Sequence, residues 1–211
     1  MITGASRGIG LALVKWFSAH YHKVWALSRN TTPITQLNLP NVTVNALDLT
    51  NEDAVVSWAQ NEAPDTIDAL INNAGKLVNK PFAETTQSDF EGVFKVNVFG
   101  LANLTRALLK KLQPTGHVVN ISSMGGIGGT SKFPGLTAYS SSKGAVSILT
   151  ELLAEEFKET GPAVNALALG AVQTEMLSDA FPGLEVPMTA AMMADYIAQF
   201  ALDGHLFYNG K

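Results

Sequence analysis

Short runs built almost wholly from Val, Ile, Leu and Ala alternate along the chain with longer segments whose apolar positions recur at helical spacing. The short runs lie at 23–28, 42–47, 67–72, 117–122, 163–168 and 205–208, and they are apolar on both faces. Strands covered by helices on both sides need that pattern. The longer segments, at 9–22, 51–62, 87–112, 136–160 and 189–201, read as helices. Thr50 and Ser88 are placed as N-caps, and Gly161 with Pro162 stops the fourth helix. The alternation predicts βαβ units and an α/β, doubly wound parallel sheet of about seven strands, counting a short one at 1–3. No repeat, low-complexity tract or linker-like break divides the chain, so residues 1–211 are expected to form one domain.

Composition narrows the picture. A chain of 211 residues, 46% hydrophobic and 15% charged, can bury a sizeable core. A net charge of −4 provides no basic footprint for a nucleic-acid backbone, so small molecules are the expected partners. No apolar run approaches the ~20 residues of a membrane helix, and residues 1–10 are a glycine-rich turn instead of a secretory leader. A cytoplasmic protein without membrane contact is the expectation. With no cysteine, disulfides, thiolate catalysis and Cys-based metal sites are excluded, and His20, His22, His117 and His205 lack ligand spacing, so no metal is expected. Only three residues precede Gly4, and the sequence stops just after a strand-like stretch; further native residues are expected beyond both ends.

Thr3-Gly4-Ala5-Ser6-Arg7-Gly8-Ile9-Gly10 sits where the first strand hands over to the first helix. Gly4, Gly8 and Gly10 permit a tight turn and close approach of backbone, including Ser6 and Ile9, to a pyrophosphate at the helix N-terminus. A glycine cluster alone is common in loops; its place in a βαβ run gives it weight. A carboxylate some 20 residues further on would select NAD, but the first acidic residue in the chain is Asp48. Arg29 stands there instead, just past the second strand. With Arg7 it can grip a 2′-phosphate, which favours NADP(H) over NAD(H); the competing reading makes both arginines solvated surface charges.

Tyr139 and Lys143, four apart in a helical segment, project from one helix face. A phenol titrating near 10 becomes a usable acid/base when positive charge lies beside it, and Lys143 can provide that charge. Upstream, Ser122 and Ser123 end one strand and Asn72-Asn73-Ala74-Gly75 ends another.

Together these residues resemble the main single-domain branch of the short-chain dehydrogenase/reductase family, in particular carbonyl reductases similar to 3-oxoacyl-ACP reductase. The resemblance is carried by Thr3 to Gly10, Leu47-Asp48-Leu49, Asn72 to Gly75, Asn97 between Val96 and Val98, Ser123, Tyr139 with Lys143, and Asn165 to Thr174, in the family's order. It implies a Rossmann fold and a catalytic tetrad. Tyr139 would be the acid/base and Ser123 would bind the substrate oxygen. Lys143 would hold the nicotinamide ribose and lower the Tyr139 pKa, and Asn97 would hold a proton-relay water near Lys143. It also implies adenine contacts from Asp48 and Leu49, ribose packing by Asn73, Ala74 and Gly75, and cofactor contacts from Gly170, Val172 and Thr174. Leu169-Gly170 replaces the family's common Pro-Gly, which lowers the rigidity expected of that turn.

Met124, Phe133, Met176 and Phe181 fall in the two segments expected to border the substrate, with residues 176–188 as a short lid over it. They favour an apolar or mixed carbonyl or alcohol, though packing explains such residues equally well. The resemblance further implies a homodimer or homotetramer, with Phe90, Phe94, Phe99, Leu101, Leu104, Leu149 and Leu152 as interface candidates. A regulatory or sensor protein that binds NADP(H) with little turnover is the alternative from another class.

Overall fold

In the computed structural model, which describes residues 1–211, six parallel strands form one sheet. They are β1 (Ile2–Thr3), β2 (Val24–Ser28), β3 (Val42–Ala46), β4 (Ile67–Asn72), β5 (Leu112–Ser123) and β6 (Ala163–Leu169). Their order is β3-β2-β1-β4-β5-β6, so the chain winds first one way from β1 and then the other. The predicted doubly wound α/β sheet is therefore present, and its topological switch lies between β1 and β4. In such sheets the carboxyl ends of the strands diverge there and leave a crevice.

The long helices α1 (Gly8–Ala19) and α8 (Ala190–Asp203) cover one face. Leu13, Val14, Phe17, Ile197 and Ala198 pack there on Ile2, Val119 and Leu167. The other face carries α3 (Glu52–Asn61), α4 (Gln87–Phe94), α5 (Leu101–Leu108) and α6 (Thr137–Phe157), whose Val55, Trp58, Leu104, Leu108 and Ala154 meet Leu70 and Val118. Two short helices, α2 (Thr32–Thr35) and α7 (Glu175–Ala180), complete the set.

A polar spine crosses the second face. Asn72 Nδ2 donates to Thr105 Oγ1 of α5 at 3.1 Å and to Asn120 Oδ1 of β5 at 2.9 Å. Asn120 Nδ2 donates in turn to Thr150 Oγ1 of α6 at 2.9 Å, and that hydroxyl donates to the Val146 carbonyl. All four side chains are buried, and each finds a partner on a neighbouring element.

Several sequence expectations are corrected. The stretch 205–208 forms no strand: α8 runs on through Gly204, whose backbone is still helical, into a 3₁₀ turn at Gly204–Leu206. Leu206 and Phe207 are left exposed, and the chain returns to hydrogen-bond with β6 from Tyr208 to Lys211. The segment 87–112 is not one helix. Lys95–Gly100 widens into a π turn between α4 and α5, and β5 already begins at Leu112. Asn51, not Thr50, caps α3 by accepting from the Ala54 N–H. Thr86, not Ser88, caps α4 in a reciprocal capping box with Asp89.

Candidate active site

The glycine turn leads directly from β1 into α1. Gly4 and Gly8 have φ of 64° and 52°, the left-handed region where a side chain is strained. A Cβ on Gly10 would collide with the Gly4 carbonyl and stand 2.7 Å from Asn73 Nδ2, so α1 can lie against the turn only with glycine there. The Asn73 amide braces the same turn, donating to the Thr3 and Gly4 carbonyls at 3.0 and 3.3 Å. The Thr3 hydroxyl accepts from the Asn73 and Ala74 N–H groups.

Beside this turn opens a cavity of about 620 Å³ at the carboxyl ends of the strands. Gly4, Ser6, Arg7, Gly8 and Ile9 line it together with Arg29, Asp48, Leu49, Asn73, Ala74 and Gly75. Further along the wall stand Ser123, Met124, Phe133, Tyr139, Lys143, Gly170, Val172, Thr174, Met176 and Phe181. Two sequence candidates do not reach it. Gly10 acts through helix-to-turn packing, and Asn97 is buried behind Gly75, where an added Cβ would stand 3.6 Å from Asn97 Oδ1 and 3.8 Å from Lys143 Nζ.

The π turn carries Asn97 into that buried position. Its Oδ1 accepts from the Lys76 N–H at 2.7 Å, and its Nδ2 donates to the Lys76 carbonyl and to Ser142 Oγ. Tyr139 and Lys143 share one face of α6, with the ammonium 5.7 Å from the centre of the phenol ring. The lowering of the Tyr139 pKa expected from Lys143 is not found: burial pushes the phenol up to about 12, with the Ser123 hydroxyl pulling the other way. Burial also pushes Lys143 down to about 8, and its Nζ donates to the Ile121 carbonyl at 2.6 Å. Ser123 Oγ accepts from the Gly125 N–H, whereas the buried Ser122 hydroxyl donates to the Lys143 carbonyl.

At the other end the Asp48 carboxylate accepts from the N–H and hydroxyl of Thr50. The backbone hydrogen bond does most to hold Asp48 below its ordinary range, and Arg29 and Lys95 add to it. A second, polar cavity of about 500 Å³ adjoins this end, lined by Arg7, Arg29, Lys76 and Lys95. Its one carboxylate, Asp179 of α7, pairs with Arg7 at 3.4 Å. On the opposite side Asn79 Nδ2 donates to the Ala180 carbonyl, so α7 is tied to two loops. Sequence reasoning named neither lysine nor Ser142. The lysines belong to no motif, and Ser142 is one of three successive serines with no signal to distinguish it.

The short chain dehydrogenase family model matches residues 1–185. The chain belongs to that family. Carbonyl reductase [NADPH] 2 of Sus scrofa is 32% identical over 182 residues, covering 83% of this chain and 72% of that protein. The solved structure of ElxO with NADP bound superposes with a TM-score of 0.81 at 27% identity, covering 99% of this chain and 93% of the other. The 4-hydroxyisoleucine dehydrogenase complexed with NADH gives 0.86 at 27%, covering 100% and 93%. Short-chain dehydrogenases are oxidoreductases, and this chain is one of them. No helix in it is long and apolar enough to cross a membrane.

Proposed function

We propose that the protein is an NADP(H)-dependent carbonyl reductase or alcohol dehydrogenase, with residues 1–211 acting as one catalytic unit in the cytoplasm. The carrying observation is that Tyr139, Ser123 and Lys143 stand on the wall of the same cavity whose far end holds the glycine turn and two arginines. That cavity suits a dinucleotide: Gly4 and Gly10 of the turn leave no room for a side chain, the 12-residue α1 starts there, and Arg7 and Arg29 mark the adenosine end. Carbonyl reductase [NADPH] 2 and NADP-bound ElxO favour the phosphorylated cofactor, and the NADH complex of 4-hydroxyisoleucine dehydrogenase marks the competing choice.

NADP(H), when bound, supplies or takes the hydride. The chain's residues handle the oxygen. Tyr139 Oη, protonated at neutral pH as any phenol is, delivers its proton to the substrate oxygen while Ser123 Oγ–H donates a second hydrogen bond to it. The Lys143 ammonium stabilises the phenolate that results, and Asn97 fixes the Gly75–Lys76 backbone beside it. Residues 176–188, with Met176 and Phe181, form a short lid.

We also propose a homodimer or homotetramer. Among the expected interface residues, Leu101 and Leu104 belong to the core instead, while Phe99 and Leu152 are exposed together with Ile148. The test is NADPH titration followed by nicotinamide absorbance across ketones, aldehydes and acyl-chain carbonyls. NADPH oxidation that Tyr139→Phe abolishes, with cofactor affinity kept, is the expected result. Tight binding without turnover on the whole panel would overturn the reading in favour of a cofactor sensor.

A further inference from the structure

The substrate end of the cavity differs in kind from the cofactor end. Its wall is made by Leu77, Met124, Phe133, Met176, Phe181 and Leu184. Met124, Phe133 and Leu184 are 46%, 61% and 44% exposed, an amount of open apolar surface that an apolar occupant would cover. The polar groups there are the hydroxyls of Ser123, Ser131 and Tyr139.

The charged side chains that line the cavity are engaged or face away from the chamber. Lys143 is buried beneath the phenol with its ammonium on the Ile121 carbonyl. Glu175 faces the glycine turn, its Oε2 3.5 Å from a Cβ built on Gly8. Lys132 folds back on the Ile127 carbonyl and Thr130, and Lys80 is paired with Asp89. Lys76 and Lys95 line the adjoining polar cavity, on the far side of the shared Leu77 and Met176, and the Lys76 ammonium is turned to Gly92, 2.6 Å from a Cβ built there. Arg7, Arg29 and Asp48 stand at the adenosine end.

We infer that the chamber selects uncharged, apolar ketones or aldehydes and rejects substrates that carry a carboxylate or phosphate into it. The inference rests on the carbonyl-reductase reading. Its physical basis is desolvation. An anion entering between Phe133, Met176 and Leu184 loses its water and finds no counter-charge, whereas a neutral ring or chain of the same size loses little and covers exposed apolar area.

The test needs no turnover. Calorimetry on the NADPH-loaded protein, whose reduced nicotinamide brings no positive charge to the chamber, compares cyclohexanecarboxamide with cyclohexanecarboxylate, a pair of one shape and two charges. The amide is expected to bind about a hundredfold tighter. Equal affinities, tighter binding of the carboxylate, or failure of both to bind at millimolar concentration would overturn the inference. As a second readout, Leu184→Lys is expected to raise carboxylate affinity relative to amide by about tenfold, and an unchanged ratio would also count against the proposal. Reduction of 4-methylcyclohexanone against 4-oxocyclohexanecarboxylate separates the two levels of argument. Equal kcat/KM for the pair removes the substrate class and leaves the reductase reading standing. Absence of turnover on every carbonyl removes the reductase reading, while the amide and carboxylate titrations still decide the character of the chamber.

Discussion

Asn97 Nδ2 donates to Ser142 Oγ at 2.9 Å, and Ser142 Oγ donates in turn to the Tyr139 carbonyl at 2.6 Å, so the π turn is fastened to the helix that carries the phenol. Ser142 is wholly buried, one position before Lys143. Ser142→Ala is expected to cost about 1–2 kcal/mol of stability, as one buried hydrogen bond is lost and the Asn97 amide is left short of an acceptor. It should also lower kcat about three- to tenfold through a loosened Gly75–Lys76 backbone, with NADPH affinity little changed. Denaturant unfolding together with steady-state kinetics checks both; unaltered kcat in a folded variant would detach Ser142 from the site.

The pH profile of carbonyl reduction follows from the two buried groups. Burial keeps the Tyr139 phenol protonated up to about 12, so the proton donor persists across the accessible range. Burial brings Lys143 down to about 8, and its charged form is the useful one. kcat/KM, which reports the free enzyme, should stay level below pH 7 and fall as pH rises through about 8. A profile flat to pH 10 would mean that the Lys143 charge is not required.

The cations around the adenosine end predict cofactor choice. Arg29→Asp should weaken NADPH binding by about a hundredfold and reverse the preference towards NADH. Lys95→Gln, which removes a charge beyond the expected arginines, should weaken NADPH about three- to fivefold and NADH less. Fluorescence titration of both nucleotides distinguishes this from an equal loss, which would place the lysine on the pyrophosphate instead.

Acid stability should depend on His117. This buried side chain accepts from Asn165 Nδ2 at Nε2, 2.9 Å away, so its Nδ1–H donates to the Ala201 carbonyl. The Asn165 orientation is fixed in turn, since Nδ2 also donates to the Tyr208 carbonyl and Oδ1 accepts from Lys211 N–H. Burial, aided by His205 nearby, pushes His117 down to about 4, against 6.5 ordinarily. Between those values the unfolded chain binds a proton that the folded one refuses, so stability falls as pH drops through this window, by up to about 3 kcal/mol. Urea midpoints at pH 7 and pH 4.5 should differ accordingly in the wild type, and the difference should shrink in His117→Gln.

Elements packed on both faces were legible from their apolar runs, and the cleft residues from motifs whose spacing binds them to strand ends. The break at Lys95–Gly100 was not, because the apolar period runs through it unbroken; Gly100, at its end, lies so close to Leu49 that a Cβ would meet its backbone oxygen at 3.0 Å. The stretch 205–208 has a strand's composition, yet α8 runs on through Gly204 into a 3₁₀ turn there, an outcome that no single residue signals. Lys76 and Lys95 gain meaning only when folding brings two distant segments to one cavity.

The Asn72–Asn120–Thr150 spine also makes the sheet proofread itself. A one-residue slip of β4 on β5 would turn Asn120 away from Asn72 and bury amides and hydroxyls without partners, a penalty that apolar strands in the same place would not impose. Because β4 leads into Asn73-Ala74-Gly75 and β5 ends in Ser123, only the correctly matched register brings the brace of the glycine turn level with the serine beside the phenol.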